Sequence, residues 1–139
     1  MDLQVGVKVL LKNNEGKFLL IRRSPKKYPE VGPRWDIVGC RINPGTELME
    51  NLKREVKEEV GLDLNEHPKL VAAQDILRVP GRHVVRLTHI GKIDGHPKID
   101  EESLEFGWFD MEDIKKMKEE ELDIYFKELL NKGLFEKFI

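Results

Sequence analysis

The most informative segment of this chain is Arg54-Glu55-Val56-Lys57-Glu58-Glu59-Val60-Gly61-Leu62. Its three glutamates are spaced i, i+3 and i+4, and at about 100° per helical residue these positions share one face. We therefore expect the carboxylates of Glu55, Glu58 and Glu59 to converge. Like charges at this spacing repel by roughly 0.2–0.5 kcal/mol per pair, whereas a cation between them would be ligated. Mg2+ takes oxygen ligands of this kind and commonly also binds substrate phosphates.

The alternative for such a pattern is a solvated acidic face, because Lys53 and Lys57 lie close enough to neutralise it. The rest of the helix favours a cleft instead. Five apolar residues form a stripe along it: Leu48, Met49, Leu52, Val56 and Val60. The glutamates lie at the edge of this stripe, beside the core, where a charge is costly unless something pairs with it.

The segment before the helix extends the pattern, since residues 35–46 read W-D-I-V-G-C-R-I-N-P-G-T. The two stretches together resemble the Nudix box of the Nudix hydrolases, G-x5-E-x7-R-E-U-x-E-E-x-G-U, in which U is a bulky aliphatic residue. Its C-terminal half matches residues 54–62 without a gap. Two N-terminal positions depart from it, because Cys40 stands where the family has Gly and Thr46 where it has Glu. Gly39 and Pro44-Gly45 agree with the usual turn.

This resemblance implies an α/β fold, the Nudix α/β/α sandwich with a mixed β-sheet between helices. It also implies that Glu55, Glu58 and Glu59 ligate Mg2+, with Mn2+ as an alternative ion, and that the Gly39 carbonyl is a further ligand. Arg54 would pair with a box glutamate and hold its rotamer, as groups behind metal ligands do; a solvated helix arginine is the alternative.

A further acidic group is implied near Trp108. Many Nudix proteins look like E-x-x-E/D-x-x-W here, and the first glutamate serves as base or ligand; the spacing from Trp108 makes that residue Glu102. A charged loop is the alternative, because residues 100–102 are all acidic. Trp108 itself is expected in the core.

The implied activity is Mg2+-dependent hydrolysis of the pyrophosphate bond in a nucleoside diphosphate linked to another moiety. Nucleoside triphosphates, ADP-ribose, nucleotide sugars and dinucleoside polyphosphates all stay open as substrates. The two departures motivate an alternative function, a nucleotide-binding module with weakened catalysis. A Gly at the Cys40 position would allow φ > 0, which typically costs another residue about 1 kcal/mol or more, and Thr46 removes a carboxylate from the outer site.

Several basic residues either attract polyphosphate or are solvated strand ends: Arg22, Arg23, Lys26, Lys27, Arg82 and Arg86. The four histidines show no compact metal-ligand spacing. Trp35 either stacks on a base or packs before the box.

The composition of the chain constrains its number of domains, its partners and its location. The 139 residues, 36% of them charged and 40% hydrophobic, predict one domain over 1–139. A net charge of −2 without a basic block argues against sequence-independent nucleic-acid binding. No apolar run approaches the ~20 residues of a membrane span, and no export signal is visible. The single cysteine fits a reducing cytoplasm. A homodimer is implied by the resemblance alone.

Alternation and turn residues predict the other elements. A β-hairpin is expected over 5–11 and 18–21, followed by a loop over 24–34 and an extended piece near 35–38. Thr46 is the expected N-cap of the central helix and Gly61 its stop. Strands are predicted at 70–79, 83–93 and 103–109, and helices at 110–117 and 120–132.

Overall fold

The chain folds into one mixed β-sheet with helices on both faces. The structure is a computed structural model that describes residues 1–26, 29, 33–101 and 103–139, with only the backbone of Leu104. The strands are β1 (Asp2–Lys12), β2 (Phe18–Arg23), β3 (Trp35–Asp36), β4 (Val38–Arg41), β5 (Lys69–Ile76), β6 (Arg82–Lys92) and β7 (Ser103–Phe109). The helices are α1 (Leu48–Val60), α2 (Met111–Lys115) and α3 (Ile124–Asn131), followed by a short 3-10 helix at Glu136–Phe138.

The sheet is built around β1, which pairs with three other strands. Its order is β3-β2-β1-β6-β5, with β4 also paired to β1 and β7 to β2. The β1–β6 pair is parallel along its whole length, from Asp2 opposite Arg82 to Lys12 opposite Lys92, and the other pairs are antiparallel. A parallel pair needs a long crossover connection, and here α1 lies within it. The predicted mixed sheet is confirmed.

Alternation along β1 divides the core into two layers. Val7, Val9 and Leu11 point to one face, where α1 packs with its apolar stripe. Leu10 points to the other face, where α2 and α3 supply Ile114 and other apolar side chains. Each of these side chains contributes about 1.5–3 kcal/mol when fully buried. The predicted sandwich of helices around a sheet is therefore confirmed. No helix in the described part of the chain is long and apolar enough to span a bilayer.

The start of α1 differs from the prediction, because Thr46 is not the N-cap. Glu47 occupies that position and makes no side-chain cap hydrogen bond. The buried Asn51 closes the turn from inside the helix instead: its Nδ2 donates to the carbonyls of Thr46 at 3.0 Å and Glu47 at 2.8 Å, and its Oδ1 accepts from the Asn43 N–H at 2.9 Å. The end of α1 is as predicted, with Gly61 at φ 67°.

The last helix is shorter than predicted, since residues 120–123 are not helical. They lie against Trp35 instead, whose N–H donates to the Glu121 carbonyl and whose carbonyl accepts from the Asp123 N–H, both at 2.8 Å. Asp123 then caps α3 by accepting from the Phe126 N–H at 3.0 Å. The prediction for 110–117 was also too long, and the predicted strands agree with β5, β6 and β7 to within a few residues. Residues 27, 28 and 30–32 of the expected loop lie outside the described residues.

The glycine that the turn before α1 requires is Gly39, and the backbone at Cys40 is not strained. Gly39 has φ 136°, and a Cβ there would lie 2.0 Å from the Val7 carbonyl oxygen. Cys40, by contrast, is an ordinary β4 residue without a positive φ. Its side chain is tolerated because the close approach of β4 to β1 falls one residue earlier.

Candidate active site

A closed network of three residues joins α1 to the sheet. Glu59, only 2% exposed, accepts from Arg23 Nη1 at 2.7 Å through Oε2 and from the Gly39 N–H at 3.2 Å through Oε1. Arg23 also donates through Nη2 to the Gly39 carbonyl at 2.9 Å. We call Glu59, Arg23 and Gly39 the buried triangle. Charge-assisted hydrogen bonds of this kind are about twice as strong as neutral ones, so the triangle fixes the orientation of α1 relative to β2 and β4.

The other two glutamates share Arg54. Its Nη1 lies 3.0 Å from Glu55 Oε1 and 3.2 Å from Glu58 Oε2, and its Nη2 donates to Asn51 Oδ1 at 3.0 Å. The Glu55 side chain is 10% exposed, whereas that of Glu58 is 56% exposed. Arg54 therefore contacts two box glutamates, as the resemblance implied, and Asn51 ties it to the start of the helix.

Burial makes the charged forms of the inner glutamates unfavourable. The pKa of Glu55 is raised to about 7, first by burial and then by the charge of Glu59, with Glu58 adding to the shift and Arg54 opposing it. Burial also raises the pKa of Glu59, and the charge and hydrogen bond of Arg23 offset only part of this effect. Two adjacent carboxylates with raised pKa values are the arrangement that a bound cation would relieve.

The described residues bring together part of the expected metal site. Among them, no three carboxylate, imidazole or thiol side chains are close enough to hold a metal ion. Glu58 is turned toward Arg54 at the surface, and Arg23 engages both Glu59 and the Gly39 carbonyl. The expected convergence of three carboxylates is thus not met in this arrangement. The donors nevertheless fit a hard divalent cation, because they are carboxylate and carbonyl oxygens. The guanidinium of Arg23 already places a positive charge between Glu59 and the Gly39 carbonyl.

The remaining predicted residues are distributed as follows. Glu102 lies outside the described residues. The segment just before it runs along the end of α1, where the Lys98 N–H donates to the Val60 carbonyl at 2.8 Å and the Asp100 N–H to the Glu59 carbonyl at 3.3 Å. Trp108 packs against the core on the α1 side, as expected.

The sequence interpretation did not predict that Lys8 and Arg23 are buried and form ion pairs. Arg23 is only 4% exposed, so its interpretation as a solvated strand end is wrong. Lys8 was not singled out, yet it is buried and its Nζ lies 2.5 Å from Asp36 Oδ2. Burial alone would raise the pKa of Asp36, but the charges of Lys8, Arg86 and Arg23 outweigh it and hold that pKa below its ordinary value. The available signal was a single lysine inside the apolar alternation of β1.

The chain thus combines a mixed sheet between helices with a central helix whose residues Glu55 and Glu59 are buried. The family model described as NUDIX domain matches residues 2–130, and the chain belongs to the Nudix family. The structure is similar to the MutT protein from Methanosarcina mazei Go1 (TM-score 0.81, 28% identity, covering 99% of this chain and 93% of that one). It is also similar to the MutT NUDIX hydrolase from Burkholderia pseudomallei (TM-score 0.69, 27% identity, covering 81% and 86%).

The E. coli ORF135 protein shares the fold at 21% identity, with a TM-score of 0.68 and coverage of 84% of this chain and 79% of that one. A comparison with curated protein sequences gave no match.

The raised pKa of Glu55 predicts that the metal-free protein becomes less stable as the pH rises. Between its ordinary pKa of 4.5 and the folded value of about 7, the folded state binds more protons than the unfolded state. The stabilising contribution of protonated Glu55 is therefore fully present below pH 4.5. It is lost as the pH rises through 7, which lowers the free energy of unfolding by on the order of 1–3 kcal/mol. Urea unfolding at several pH values in EDTA checks this, with Glu55→Gln expected to flatten the pH dependence. Parallel curves for the wild type and the variant would contradict it.

Proposed function

We propose that this Nudix protein is a Mg2+-dependent hydrolase that cleaves the pyrophosphate bond of a nucleoside diphosphate linked to another moiety. The observation that supports it best is the pair of buried carboxylates, Glu55 and Glu59, beside the accessible Glu58 on the Nudix-box helix. Two similar structures carry the name MutT, and one of them is called a hydrolase. We further propose that residues 1–139 act as one Nudix domain in the cytoplasm; homodimerisation stays a prediction.

Each site residue has a distinct role in this proposal. Glu55, Glu58, Glu59 and the Gly39 carbonyl would hold Mg2+, or Mn2+ in its place. When bound, the ion neutralises phosphate charge and orients the attacking water. Arg54 positions Glu55 and Glu58 from behind.

A carboxylate must take the proton of that water as the phosphoanhydride bond breaks. Whichever helix glutamate does not ligate the ion would serve as this base, because a positioned carboxylate can accept a proton from water. Glu102 is the alternative base, on the spacing argument from Trp108. Arg23 would exchange its contacts with Glu59 and the Gly39 carbonyl for substrate phosphate, since it lies between the acidic helix and the neighbouring cleft.

A panel of nucleotides tests the proposal. Nucleoside triphosphates, ADP-ribose, nucleotide sugars and dinucleoside polyphosphates are incubated with the protein in Mg2+ or in EDTA, and the products are separated by ion-exchange chromatography. We expect a nucleoside monophosphate and a phosphorylated second product from at least one compound, in Mg2+ only. Absence of cleavage above the protein-free control for every compound would contradict the proposal.

The second candidate function is a nucleotide-binding module with little catalysis, which the departures at Cys40 and Thr46 favour. Restoring both family residues, in Cys40→Gly/Thr46→Glu, separates the two. Because Cys40 carries no backbone strain, we expect kcat/KM to change by less than roughly tenfold, or about 1.4 kcal/mol. A rise from negligible to robust turnover would instead support the binding module. Calorimetry with the same nucleotides shows whether binding occurs without product.

A further inference from the structure

The guanidinium group of Arg23 binds two of the oxygens that the proposed metal site uses. Its Nη1 donates to Glu59 Oε2 at 2.7 Å, and its Nη2 donates to the Gly39 carbonyl oxygen at 2.9 Å. The two oxygens belong to different elements, α1 and β4, and Arg23 reaches both from the end of β2. An ion held by Glu59 and the Gly39 carbonyl would therefore approach the same oxygens that Arg23 engages.

The buried position of these groups makes the two cations alternatives to each other. Glu59 is 2% exposed and Arg23 is 4% exposed, so water and salt screen their charges much less than at the surface. Both oxygens of the Glu59 carboxylate are engaged, Oε2 by Arg23 and Oε1 by the Gly39 N–H at 3.2 Å. A divalent ion and a guanidinium group that shared these oxygens would repel each other at short range. Entry of the ion therefore requires the guanidinium to move away.

An exchange of cations preserves the connection between α1 and β4. The guanidinium group links Glu59 to the Gly39 carbonyl, and an ion ligated by the same two oxygens makes the same link. Loss of Arg23 without a replacement is unfavourable, because a buried carboxylate that loses its cation is strongly destabilised. We therefore expect one cation to leave as the other enters, while α1 keeps its position on the sheet.

The cleft beside the buried triangle can receive the displaced side chain. Arg23 borders this cleft together with Lys8, Asp36 and Gly39. The planar fork of an arginine matches phosphate oxygens, to which it donates two parallel hydrogen bonds. A substrate phosphate that enters the cleft can thus bind the guanidinium group that the ion displaces from Glu59.

A permanent structural ion pair is the alternative interpretation of the buried triangle. Arg23 would then stay with Glu59 and with the carbonyls of Gly39 and Ile37, which lie 2.9 Å and 3.5 Å from its Nη2. Removal of Arg23 would in that case disturb α1 and weaken metal binding. The two interpretations therefore predict opposite effects of the same substitution on the affinity for a metal ion.

We propose that Arg23 competes with the divalent cation for Glu59 and the Gly39 carbonyl, and that substrate phosphate draws Arg23 away from them. The inference rests on the proposed function and adds a regulatory contact to that site. Arg23 weakens metal binding as long as it holds Glu59. Since phosphate binds the displaced guanidinium, the metal ion and the substrate strengthen each other's binding, and by linkage the two effects are equal.

Mn2+ binding to variants of Arg23 tests the competition. Affinity is measured by electron paramagnetic resonance without nucleotide, and circular dichroism selects the variants that are folded. We expect Arg23→Gln to bind Mn2+ at least about fivefold more tightly than the wild type, the lower end of typical coupling between sites. Arg23→Lys keeps the charge but lacks the planar fork, so a smaller gain is expected.

The matched control is Arg22→Gln, the same substitution on the same strand. Arg22 is 32% exposed and pairs with Glu105, so this variant should keep the Mn2+ affinity of the wild type. Mn2+ binding that is no tighter in the folded Arg23 variants than in the wild type would overturn the inference. An equal gain in Arg22→Gln would also overturn it, because the effect would then come from net charge.

NMR of the wild type gives a readout that does not depend on a folded variant. The nitrogen-bound protons of arginine side chains give signals that respond to hydrogen bonding, and selective labelling of arginine makes them visible. During a titration with diamagnetic Mg2+, one buried guanidinium signal is expected to shift, and its protons should exchange faster with water. If every protected guanidinium signal stays unchanged while Mg2+ saturates the protein, Arg23 does not leave Glu59 and the inference is wrong.

Methylene diphosphonate, a pyrophosphate analogue with a carbon bridge that resists hydrolysis, tests the link to phosphate. Calorimetry gives its affinity in saturating Mg2+ and in EDTA, for the wild type and for Arg23→Lys. Direct binding of Mg2+ to the analogue contributes to the ratio of affinities in both proteins, so the comparison isolates the effect of Arg23. We expect a ratio severalfold larger in the wild type. Equal ratios would contradict the release of Arg23 by phosphate.

Turnover separates this inference from the proposed function, because the competition requires metal binding alone. If Arg23→Gln binds Mn2+ more tightly and no nucleotide of the panel is cleaved, the proposed hydrolase fails while the competition stands. If nucleotides are cleaved in Mg2+ and neither Arg23 variant gains affinity for Mn2+, the competition fails alone.

Discussion

Glu58→Gln is expected to lower Mg2+-dependent hydrolysis by roughly 10^2- to 10^4-fold, the range for losing an acid–base or charge-stabilising group. Glu58 supplies one of the three helix carboxylates, and its side chain is 56% exposed. Because exposed substitutions usually change stability by less than about 0.5 kcal/mol, the loss will reflect chemistry and not unfolding. The measurement is the initial rate for any panel compound that the wild type cleaves, over a range of Mg2+ concentrations.

Glu59→Gln is expected to lower turnover by a similar factor, with an added loss of stability. Glu59 is buried and paired with Arg23 at 2.7 Å, so a neutral amide removes the negative charge that Glu59 supplies to that guanidinium. Urea unfolding of each variant shows how much of the rate loss is due to folding. The matched control is Glu50→Gln, an exposed glutamate in the first turn of the same helix, which should retain wild-type turnover. Unchanged rates in both Glu58→Gln and Glu59→Gln would reject the proposed hydrolase.

Asp123→Ala is expected to cost about 3–5 kcal/mol of unfolding free energy, the range for breaking a buried ion pair. Asp123 is 2% exposed and holds three groups together: it caps α3 through the Phe126 N–H, and it neutralises Arg86 and Arg78. Without it, the guanidinium of Arg86 stays buried and unpaired. Chemical unfolding monitored by tryptophan fluorescence and circular dichroism measures the loss.

Two further variants divide this effect into its causes. Asp123→Asn keeps a side chain able to cap a helix but removes the charge, so the difference between the two variants measures the cap, expected at about 1 kcal/mol. Asp110→Ala is the matched control, because Asp110 is the N-cap of α2, is exposed and makes no side-chain cap hydrogen bond. An Asp123→Ala variant no less stable than Asp110→Ala would contradict the assigned role.

The sheet and the central helix could be predicted because their signals are local. Alternation in β1 and the helical spacing of Glu55, Glu58 and Glu59 follow from the geometry of a strand and of a helix. The length of α3 could not be predicted, since residues 120–123 are held by Trp35, which lies more than 80 positions earlier in the chain.

The same contrast holds within the site. The three glutamates lie within residues 55–59, so their pattern is visible in the sequence, whereas Arg23, the partner of Glu59, comes from a distant strand, β2. Likewise the need for glycine at residue 39 arises from the close approach of the Val7 backbone. The Nudix-box pattern, whose first glycine aligns with Cys40, does not reveal that contact.

Binding of Mn2+ reports on the metal site of the α1 glutamates, because carboxylate sites suited to Mg2+ also accept Mn2+. Electron paramagnetic resonance counts free Mn2+ during a titration of the protein in the presence of a non-hydrolysable nucleotide. We expect saturable binding to the wild type, at least about tenfold weaker binding to Glu58→Gln, and wild-type affinity in Glu50→Gln. Equal Mn2+ binding by the wild type and Glu58→Gln, or no binding by the wild type, would contradict the claim that the glutamates of α1 hold a divalent cation.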